Sequence, residues 1–244
     1  MLQHKKDSLT KIWKAQFIDP DTVGKRTLYL SFDDGPNKGT HTVVNILKEE
    51  QVPATFFLIG LHVKEMPAAK TMMPVLRSMP NLVLCNHSFT HAYFNHFEAF
   101  YADLPGSEND FARCRDTVHF SNNIVRAPGN NIWRTPSFSQ NTFARYDSAA
   151  DNIRDSGFMI VGWDAEWRYR GTKLVQSVDQ MEKDIDNLYA KNRNHYPNHC
   201  VLLMHDLIFA DAADSASLHE LIHRFKANPL YRLDVVTNHP LTKP

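Results

Sequence analysis

The sequence has little that would direct it to a membrane, to nucleic acid or to a disulfide framework. Lys and Arg together number 27, as do Asp and Glu, so no excess charge favours nucleic acid or an anionic lipid surface. No apolar run approaches the roughly 20 residues of a membrane-spanning helix. The 3 cysteines cannot all be paired and form no Cys-x-x-Cys motif, so they do not indicate a redox compartment.

Linkers, repeats and an obvious leader are missing as well. No Gly/Ser-rich stretch or internal repeat divides the 244 residues, so we expect one domain over 1–244. Residues 1–16 are polar and charged and show no secretory signal. The sequence therefore fits either an intracellular protein or a mature chain whose leader was removed.

What the chain does have is a series of short apolar runs that alternate with helical patterns. Seven runs are predicted as strands, at 28–32, 53–60, 82–86, 124–126, 158–163, 200–204 and 233–236. Helices are predicted at 40–50, 68–77, 109–120, 148–156, 174–192 and 217–227, whereas 92–107 is aromatic and irregular, either a broken helix or a loop of the site. This alternation predicts an α/β fold with a parallel sheet, either open or closed into a barrel.

Polar side chains follow five of these strands at the point where each strand ends. Because the carboxyl ends of parallel strands meet on one side of such a fold, we expect these groups to converge on one cleft. They are Asp33 with Asp34, His87 with His91, Arg126, Asp164 with Glu166, and His205 with Asp206.

Two of these groups together indicate a metal site. Asp33 and Asp34 would repel each other at a strand end unless a metal ion or an arginine offset their charge; a solvated turn is the alternative. His87 and His91 are four residues apart, so two imidazoles could meet one ion if the segment forms a helical turn. One aspartate with this pair predicts an Asp-His-His site with open positions, the pattern of a catalytic metal.

Four motifs in order resemble those of the polysaccharide deacetylases, carbohydrate esterase family four. Ser-Phe-Asp-Asp-Gly-Pro at 31–36 resembles the family's Thr-Phe-Asp-Asp-Gly-Pro, and 87–91 matches its His-Ser/Thr-x-x-His. Arg-Ala-Pro at 126–128 resembles its Arg-x-Pro motif, and 203–205 its Leu-x-His motif. The spacing fits across about residues 27–206, and the resemblance implies a single-domain distorted (β/α)7-type barrel with a parallel strand core.

The resemblance implies a metal-dependent enzyme that removes the N-acetyl group from N-acetylglucosamine residues. Asp34, His87 and His91 would bind a divalent metal, in this family most often zinc. The substrate would be a chitin-type oligosaccharide or peptidoglycan, and the product acetate. The family also implies a secreted or periplasmic location.

Three further residues receive roles from the same resemblance. Asp33 would be the general base that takes a proton from the metal-bound water as it attacks the amide. Arg126 would pair with Asp33 and hold its carboxylate in place. His205 would be the general acid that protonates the departing amine.

The sequence departs from the family at one motif. Where the family usually has Asp-x-x-Asp-Trp, this chain has Asp164-Ala165-Glu166-Trp167. Either Asp164 or Glu166 would orient His205, and Glu166 is favoured because it precedes the tryptophan. This form, together with Pro-Gly-Asn-Asn-Ile-Trp at 128–133, is similar to the chitooligosaccharide deacetylase branch.

Aromatic side chains next to these motifs suit a sugar, because pyranose rings present apolar C–H faces. The residues expected to contact substrate are Trp133, Trp167, Tyr93, Pro128 and Leu203. Trp163 is instead expected to pack in the core, and His62, His195 and the remaining histidines receive no role.

Two alternatives stay open on the same residues. One is a hydrolase of this scaffold that acts on a small non-sugar amide. The other is a catalytically silent glycan-binding protein, against which the intact set of chemical residues argues.

Overall fold

The computed structural model describes residues 25–243, so the absence of a secretory signal at 1–16 concerns a segment outside the described residues. Twelve strands are found there: β1 Arg26–Gly35, β2 Ala54–Leu58, β3 Leu82–Asn86, β4 Ile124–Val125, β5 Ile132–Thr135, β6 Phe138–Asn141, β7 Met159–Ile160, β8 Ala165–Glu166, β9 Tyr169–Arg170, β10 Lys173–Leu174, β11 His199–His205 and β12 Tyr231–Asp234. The α-helices of this part of the chain are α1 Thr40–Glu50, α2 Gly60–Glu65, α3 Pro67–Ser78, α4 Phe97–Ala102, α5 Leu104–Val118, α6 Asp147–Asp155, α7 Val178–Ala190 and α8 Ala212–Ala227, and a single helical turn covers His91–Asn95.

Strand β1 is the centre of the sheet. It runs parallel to the whole of β11, from the pair Thr27 and His199 to the pair Asp33 and His205. Its other edge is shared, because its first half pairs with β12 and its second half with β2. Nearly every residue of β1 is buried, as expected for a parallel strand covered on both faces.

The main sheet is a curled half-barrel, in the order β6-β5-β7-β4-β3-β2-β1-β11-β8, with β12 beside β1. All its pairings are parallel except those made by β5, which runs antiparallel to β6 and β7. The predicted α/β barrel with a parallel strand core is therefore confirmed. Each of the seven predicted strands overlaps an observed one, but the hairpin of β5 and β6 was not predicted.

Two helices begin five residues earlier than predicted, because an aspartate caps each of them. Asp211 accepts hydrogen bonds from the backbone N–H groups of Ala213 and Asp214, so α8 begins at Ala212. Asp103 accepts from Gly106 in the same way at the start of α5. Both starts carry little apolar periodicity, which is why the sequence pattern misses them.

The two faces of β1 contact two different parts of the core. Leu28, Leu30 and Phe32 pack against the helices, in a cluster that includes residues of α1, α3 and α8. Tyr29 faces the concave side, where two short 3-10 helices, Val236–Asn238 and Pro240–Thr242, contribute Val236 and Leu241 to the interior cluster. The three cysteines are free and buried. None of the helices within 25–243 has the length and apolarity needed to cross a membrane.

Candidate metal centre and active site

The two aspartates lie at the end of β1, where the strand becomes irregular. The register against β2 shifts between Asp33 and Gly35, and Asp34 has a left-handed φ of 73°. In a regular strand neighbouring side chains point to opposite faces, whereas a bulge re-aims one of them. Both carboxylates therefore line the same cavity.

Asp34 meets both imidazoles of the predicted pair. Its Oδ1 lies 3.4 Å from Nε2 of His87 and 3.2 Å from Nε2 of His91. Within 25–243 these three residues are the one group of His, Cys, Asp or Glu whose ligand atoms lie within 4.8 Å of one another. The segment 87–91 does not form the helical turn that was the condition for this spacing to bring the imidazoles together, because Ser88 and His91 both have positive φ.

Nδ1, the other ring nitrogen of each histidine, makes a hydrogen bond within the protein. Nδ1 of His87 lies 2.9 Å from the carbonyl oxygen of Arg126, and Nδ1 of His91 lies 2.6 Å from Oδ1 of Asn95. Both partners are acceptors, so each Nδ1 carries the hydrogen and each Nε2 offers a lone pair. Two lone pairs and a carboxylate therefore face one another, an arrangement that a cation stabilises.

The electrostatics of the site favour a positive charge at this point. Burial acts to raise the pKa of Asp34, but the hydrogen bond and positive charge that His87 supplies when it is protonated outweigh it and hold that pKa well below its ordinary value. Burial acts to lower the pKa of His87, yet the carboxylates of Asp33 and Asp34 raise it. Oδ1 of Asp34 is buried and accepts no hydrogen bond within the described chain. The donor set, one carboxylate and two imidazoles, suits zinc.

Arg126 holds the carboxylate of Asp33 in place. Nη1 of Arg126 donates to Oδ1 of Asp33 at 2.9 Å and to Oγ of Ser31 at 2.8 Å. Its Nε and Nη2 donate to the carbonyl oxygens of Val161 and Gly162, so the fully buried guanidinium is bonded on every side. The second oxygen of Asp33 points towards the histidines, 3.6 Å from Nε2 of His87.

His205 ends β11 directly beside Asp33 and lines the cavity. The ring of Tyr169 stands edge-on to it, with the ring centroids 4.9 Å apart. Its Nδ1 is buried and has no hydrogen-bond partner within 25–243. Glu166 also lines the cavity, but the structure shows no hydrogen bond between it and His205.

Asp164, the less favoured of the two carboxylates predicted to orient His205, contacts His195 instead. Its side chain is buried against His195: Oδ1 of Asp164 accepts a hydrogen bond from the backbone N–H of His195 and lies 2.6 Å from Nδ1 of the same residue. Oδ2 of Asp164 accepts from the backbone N–H of Val201. Burial acts to raise the pKa of Asp164, but the charge and hydrogen bond of His195 lower it. Val201 precedes His205 by four residues, about 13 Å along a strand, which places Asp164 deep in the barrel.

These groups surround a cavity of about 640 Å³, a volume typical of small-ligand sites. The predicted residues that line it are Asp33, Asp34, His87, His91, Glu166, Leu203 and His205. Arg126 lies beneath it. Asp206 is buried and accepts hydrogen bonds from Asn37 and Thr40, which ties the end of β11 to the start of α1.

Four predicted substrate contacts lie away from this cavity. Trp133 is completely buried against His195 and His239, and Trp167 packs on Phe209 while its indole N–H donates to the carbonyl of Gln176. Tyr93 donates from its hydroxyl to Asp103 and packs on Phe100, and Pro128 is buried with its carbonyl bonded to Tyr101. For all four, closeness to a motif in sequence did not place the side chain at the site.

Several residues that line the cavity were not predicted, among them a tryptophan, a tyrosine and a histidine. Trp163, expected in the core, is at the wall, as is Tyr169. His62 also lines it, and its Nδ1 lies 2.8 Å from the carbonyl oxygen of Asp34. His62 follows the end of β2 just as the predicted polar groups follow their strands, so the same signal could have identified it.

Comparisons with known proteins identify the family of this chain. Residues 21–155, more than half of the chain, match the family model described as polysaccharide deacetylase. The chain is 25% identical over 193 residues to the peptidoglycan-N-acetylglucosamine deacetylase of Bacillus cereus, covering 75% of this chain and 60% of that protein. It is 43% identical over 67 residues to a chitooligosaccharide deacetylase of Rhizobium leguminosarum, covering 27% of this chain and 29% of that one. The chain thus spans about 60% of the length of the Bacillus relative.

Solved structures show the same fold at low identity. A CE4 esterase of Streptococcus mutans superposes with a TM-score of 0.62 at 22% identity, over 86% of each chain. A CE4 family pseudoenzyme of Bacillus anthracis superposes with a TM-score of 0.60 at 17% identity, over 90% of this chain and 66% of that one. On the strength of the family model, and with a site that carries the family's motif residues, this chain belongs to the polysaccharide deacetylase family.

Proposed function

We propose that the protein is a metal-dependent N-deacetylase that hydrolyses the acetamide of N-acetylglucosamine residues in a chitin-type oligosaccharide or peptidoglycan. The observation that carries this proposal is the convergence of Asp34, His87 and His91 on one point of the cavity, with the carboxylate of Asp33 beside them. The named activities of the Bacillus and Rhizobium relatives support the substrate class.

Asp34, His87 and His91 would hold the metal, for which zinc is our candidate. When bound, such an ion polarises a carbonyl oxygen and makes a water nucleophilic near neutral pH. The protein contributes the aim of the two imidazoles, which the carbonyl of Arg126 and the amide of Asn95 fix through Nδ1.

Asp33 is suited to act as the general base. Arg126 occupies its Oδ1, which leaves Oδ2 directed into the site to accept the proton of the attacking water. Because the guanidinium is bonded on every side, the carboxylate cannot rotate away without leaving a buried charge unpaired. We therefore assign Arg126 the role of a positioning residue.

His205 is suited to act as the general acid. It stands across the end of β1 from the histidine pair, close enough to Asp33 to share the cavity with it. Donation of its proton to the amide nitrogen lets the amine leave as the C–N bond breaks, and acetate is the other product. Glu166 faces the same cavity, and we propose that it supports the charged form of His205 from there.

The decisive experiment measures acetate release and product mass after incubation of zinc-reconstituted protein with chitin oligomers and with peptidoglycan fragments. We expect loss of acetyl groups from at least one of the two. Asp33→Asn should keep zinc and lower kcat by about 10²–10⁴-fold, the usual contribution of a general base. His91→Ala should lose both the bound zinc and the activity. His219→Ala should retain both, because His219 lies on α8 and is hydrogen-bonded to Glu50.

The same assay, extended to small amides and to a measurement of glycan binding, separates the alternatives. Turnover of small amides without acetate release from any sugar would favour the non-sugar hydrolase. A parent protein that binds glycan but has no turnover and no bound metal, together with an Asp33→Asn variant that binds glycan equally well, would favour a silent binding protein. Either of these two results would contradict the proposal.

A further inference from the structure

The turn His91–Asn95 has an unusual backbone. All five of its residues are non-glycine and have positive φ, between 52° and 73°. A left-handed helical conformation costs an L-residue roughly 1–2 kcal/mol, and such strain persists where the surrounding structure over-determines it. The turn therefore keeps an energetically unfavourable backbone conformation at His91, a proposed metal ligand.

Contacts on the inner side of the turn hold it in place. The N–H of Phe94 donates to the carbonyl of Thr90 at 3.0 Å, and the N–H of Tyr93 donates to Oγ1 of Thr90 at 2.9 Å. The hydroxyl of Tyr93 donates to Asp103 at 3.0 Å, and Ala92 is completely buried. The turn is thus anchored through Ala92 and Tyr93.

The other side chains of the turn face the cavity. His91, Phe94 and Asn95 all line it, and His91 and Asn95 are bonded to each other. Phe94 is 65% exposed, and no other large hydrophobic residue within 25–243 is exposed to a greater fraction. Single exposed hydrophobic residues are common on protein surfaces. What distinguishes Phe94 is that a strained, anchored turn holds it at the rim of the cavity, three residues from His91.

We propose that Phe94 is a specificity-determining residue whose ring packs on the apolar C–H face of a sugar unit next to the one that loses its acetyl group. This inference rests on the proposed function and extends it. His91 reaches Asp34 inside the cavity while Phe94 is exposed beside it, so with the acetylated unit at Asp34 the ring of Phe94 is open to the next unit of the oligosaccharide. The protein therefore prefers an oligosaccharide of two or more units over a single N-acetylated sugar.

The test compares Phe94→Leu, which keeps an apolar side chain but removes the ring face, with Phe94→Trp, which keeps a ring. Phe143→Leu is the matched control, because Phe143 is also an exposed phenylalanine, at 50%, and packs on Tyr146 outside the cavity. Each full-length, zinc-reconstituted variant is assayed on N-acetylglucosamine itself and on its tetrasaccharide. Calorimetric titration of the metal-free proteins with the tetrasaccharide measures binding independently of turnover.

For Phe94→Leu we expect KM and the dissociation constant for the tetrasaccharide to rise about 10-fold with kcat unchanged, as loss of a well-packed aromatic contact predicts. Phe94→Trp and Phe143→Leu should stay within about 2-fold of the parent on the same scale. If Phe94→Leu behaves like Phe143→Leu in both measurements, the inference is wrong. A parent protein that releases no acetate would instead defeat the proposed function, and the binding titration would still decide the role of Phe94.

Discussion

At the level of single residues, Asn95 both contacts the ring of His91 and adopts a left-handed backbone conformation. Its Oδ1 holds Nδ1 of His91 at 2.6 Å, and its own backbone is left-handed, with φ at 73°. Asparagine and aspartate tolerate that conformation better than other non-glycine residues. The residue therefore suits both the backbone of the turn and the aim of the imidazole.

We predict that Asn95→Ala lowers zinc affinity by about 10–100-fold, the usual effect of removing the partner of a metal-binding histidine. Asn95→Asp keeps an acceptor for Nδ1 and tolerates the backbone, so it should retain more of the affinity. Competition with a chromogenic chelator measures both. Equal zinc affinity for Asn95→Ala and the parent protein would show that His91 needs no such partner.

Residues inside the motifs could be predicted from the sequence, because the chemistry itself restricts their identity. Asp34, His87 and His91 were predicted to meet, and the structure brings them together. Tyr169 could not be assigned this way, since what places it at the cavity is the path of the chain after β8. A lone tyrosine carries no record of that path in its sequence neighbours.

At the level of elements, the wall that carries Trp163 depends on one asparagine. Asn131 accepts from the backbone N–H of Trp163 at 3.0 Å and donates to its carbonyl at 2.8 Å. This approach requires Gly162, because a Cβ there would lie 2.0 Å from Oδ1 of Asn131 and 2.6 Å from Nε1 of Trp133. The glycine thus lets the loop after β4 dock on the end of β7.

We predict that Gly162→Ala displaces Trp163, lowers the free energy of unfolding by about 1–3 kcal/mol and raises KM. Gly157→Ala is the control: its φ of 96° makes alanine strained, but no neighbouring atom lies within 4 Å of a Cβ there. Both variants should be less stable in urea unfolding, yet only Gly162→Ala should change tryptophan fluorescence and KM. Unchanged fluorescence and KM in Gly162→Ala would show that the wall is not held this way.

The turn His91–Asn95 shows why element type is not always readable from local spacing. The four-residue spacing of His87 and His91 suggested an ordinary helical turn, but the handedness depends on distant partners. Asp110, on α5, accepts from the N–H groups of Phe89 and Thr90 and from Oγ1 of Thr90. These tertiary bonds, across about twenty residues of sequence, override the local preference for right-handed backbone.

At the level of the whole molecule, the concave side of the barrel is polar at both ends. The parallel core could be predicted from the alternation of strands and helices, whereas the strand order, the hairpin of β5 and β6 and the segment that fills the deep end could not. His239 lies there, completely buried, with Tyr29, Trp133 and His199 around it at ring distances of 5.0–5.6 Å. Its Nδ1 accepts from the N–H of Leu241, and its Nε2 has no hydrogen-bond partner within the described chain.

Burial, with a further contribution from the charge of His199, lowers the pKa of His239 from 6.5 to about 3. Between these values the unfolded chain binds a proton that the folded protein does not, so this histidine destabilises the fold progressively as the pH falls below 6.5. It should remove about 1.4 kcal/mol of stability between about pH 7.5 and about pH 5.5. The substitution His239→Asn removes this titration, and the side-chain oxygen of the amide could still accept from Leu241.

We therefore predict that His239→Asn is less stable than the parent near neutral pH but loses less stability on acidification, by about 1.4 kcal/mol over those two pH units. Urea unfolding of both proteins at the two pH values gives the difference directly. Parallel pH dependences would mean that His239 accepts its proton in the folded barrel, and that the deep end opens to water before the chain unfolds.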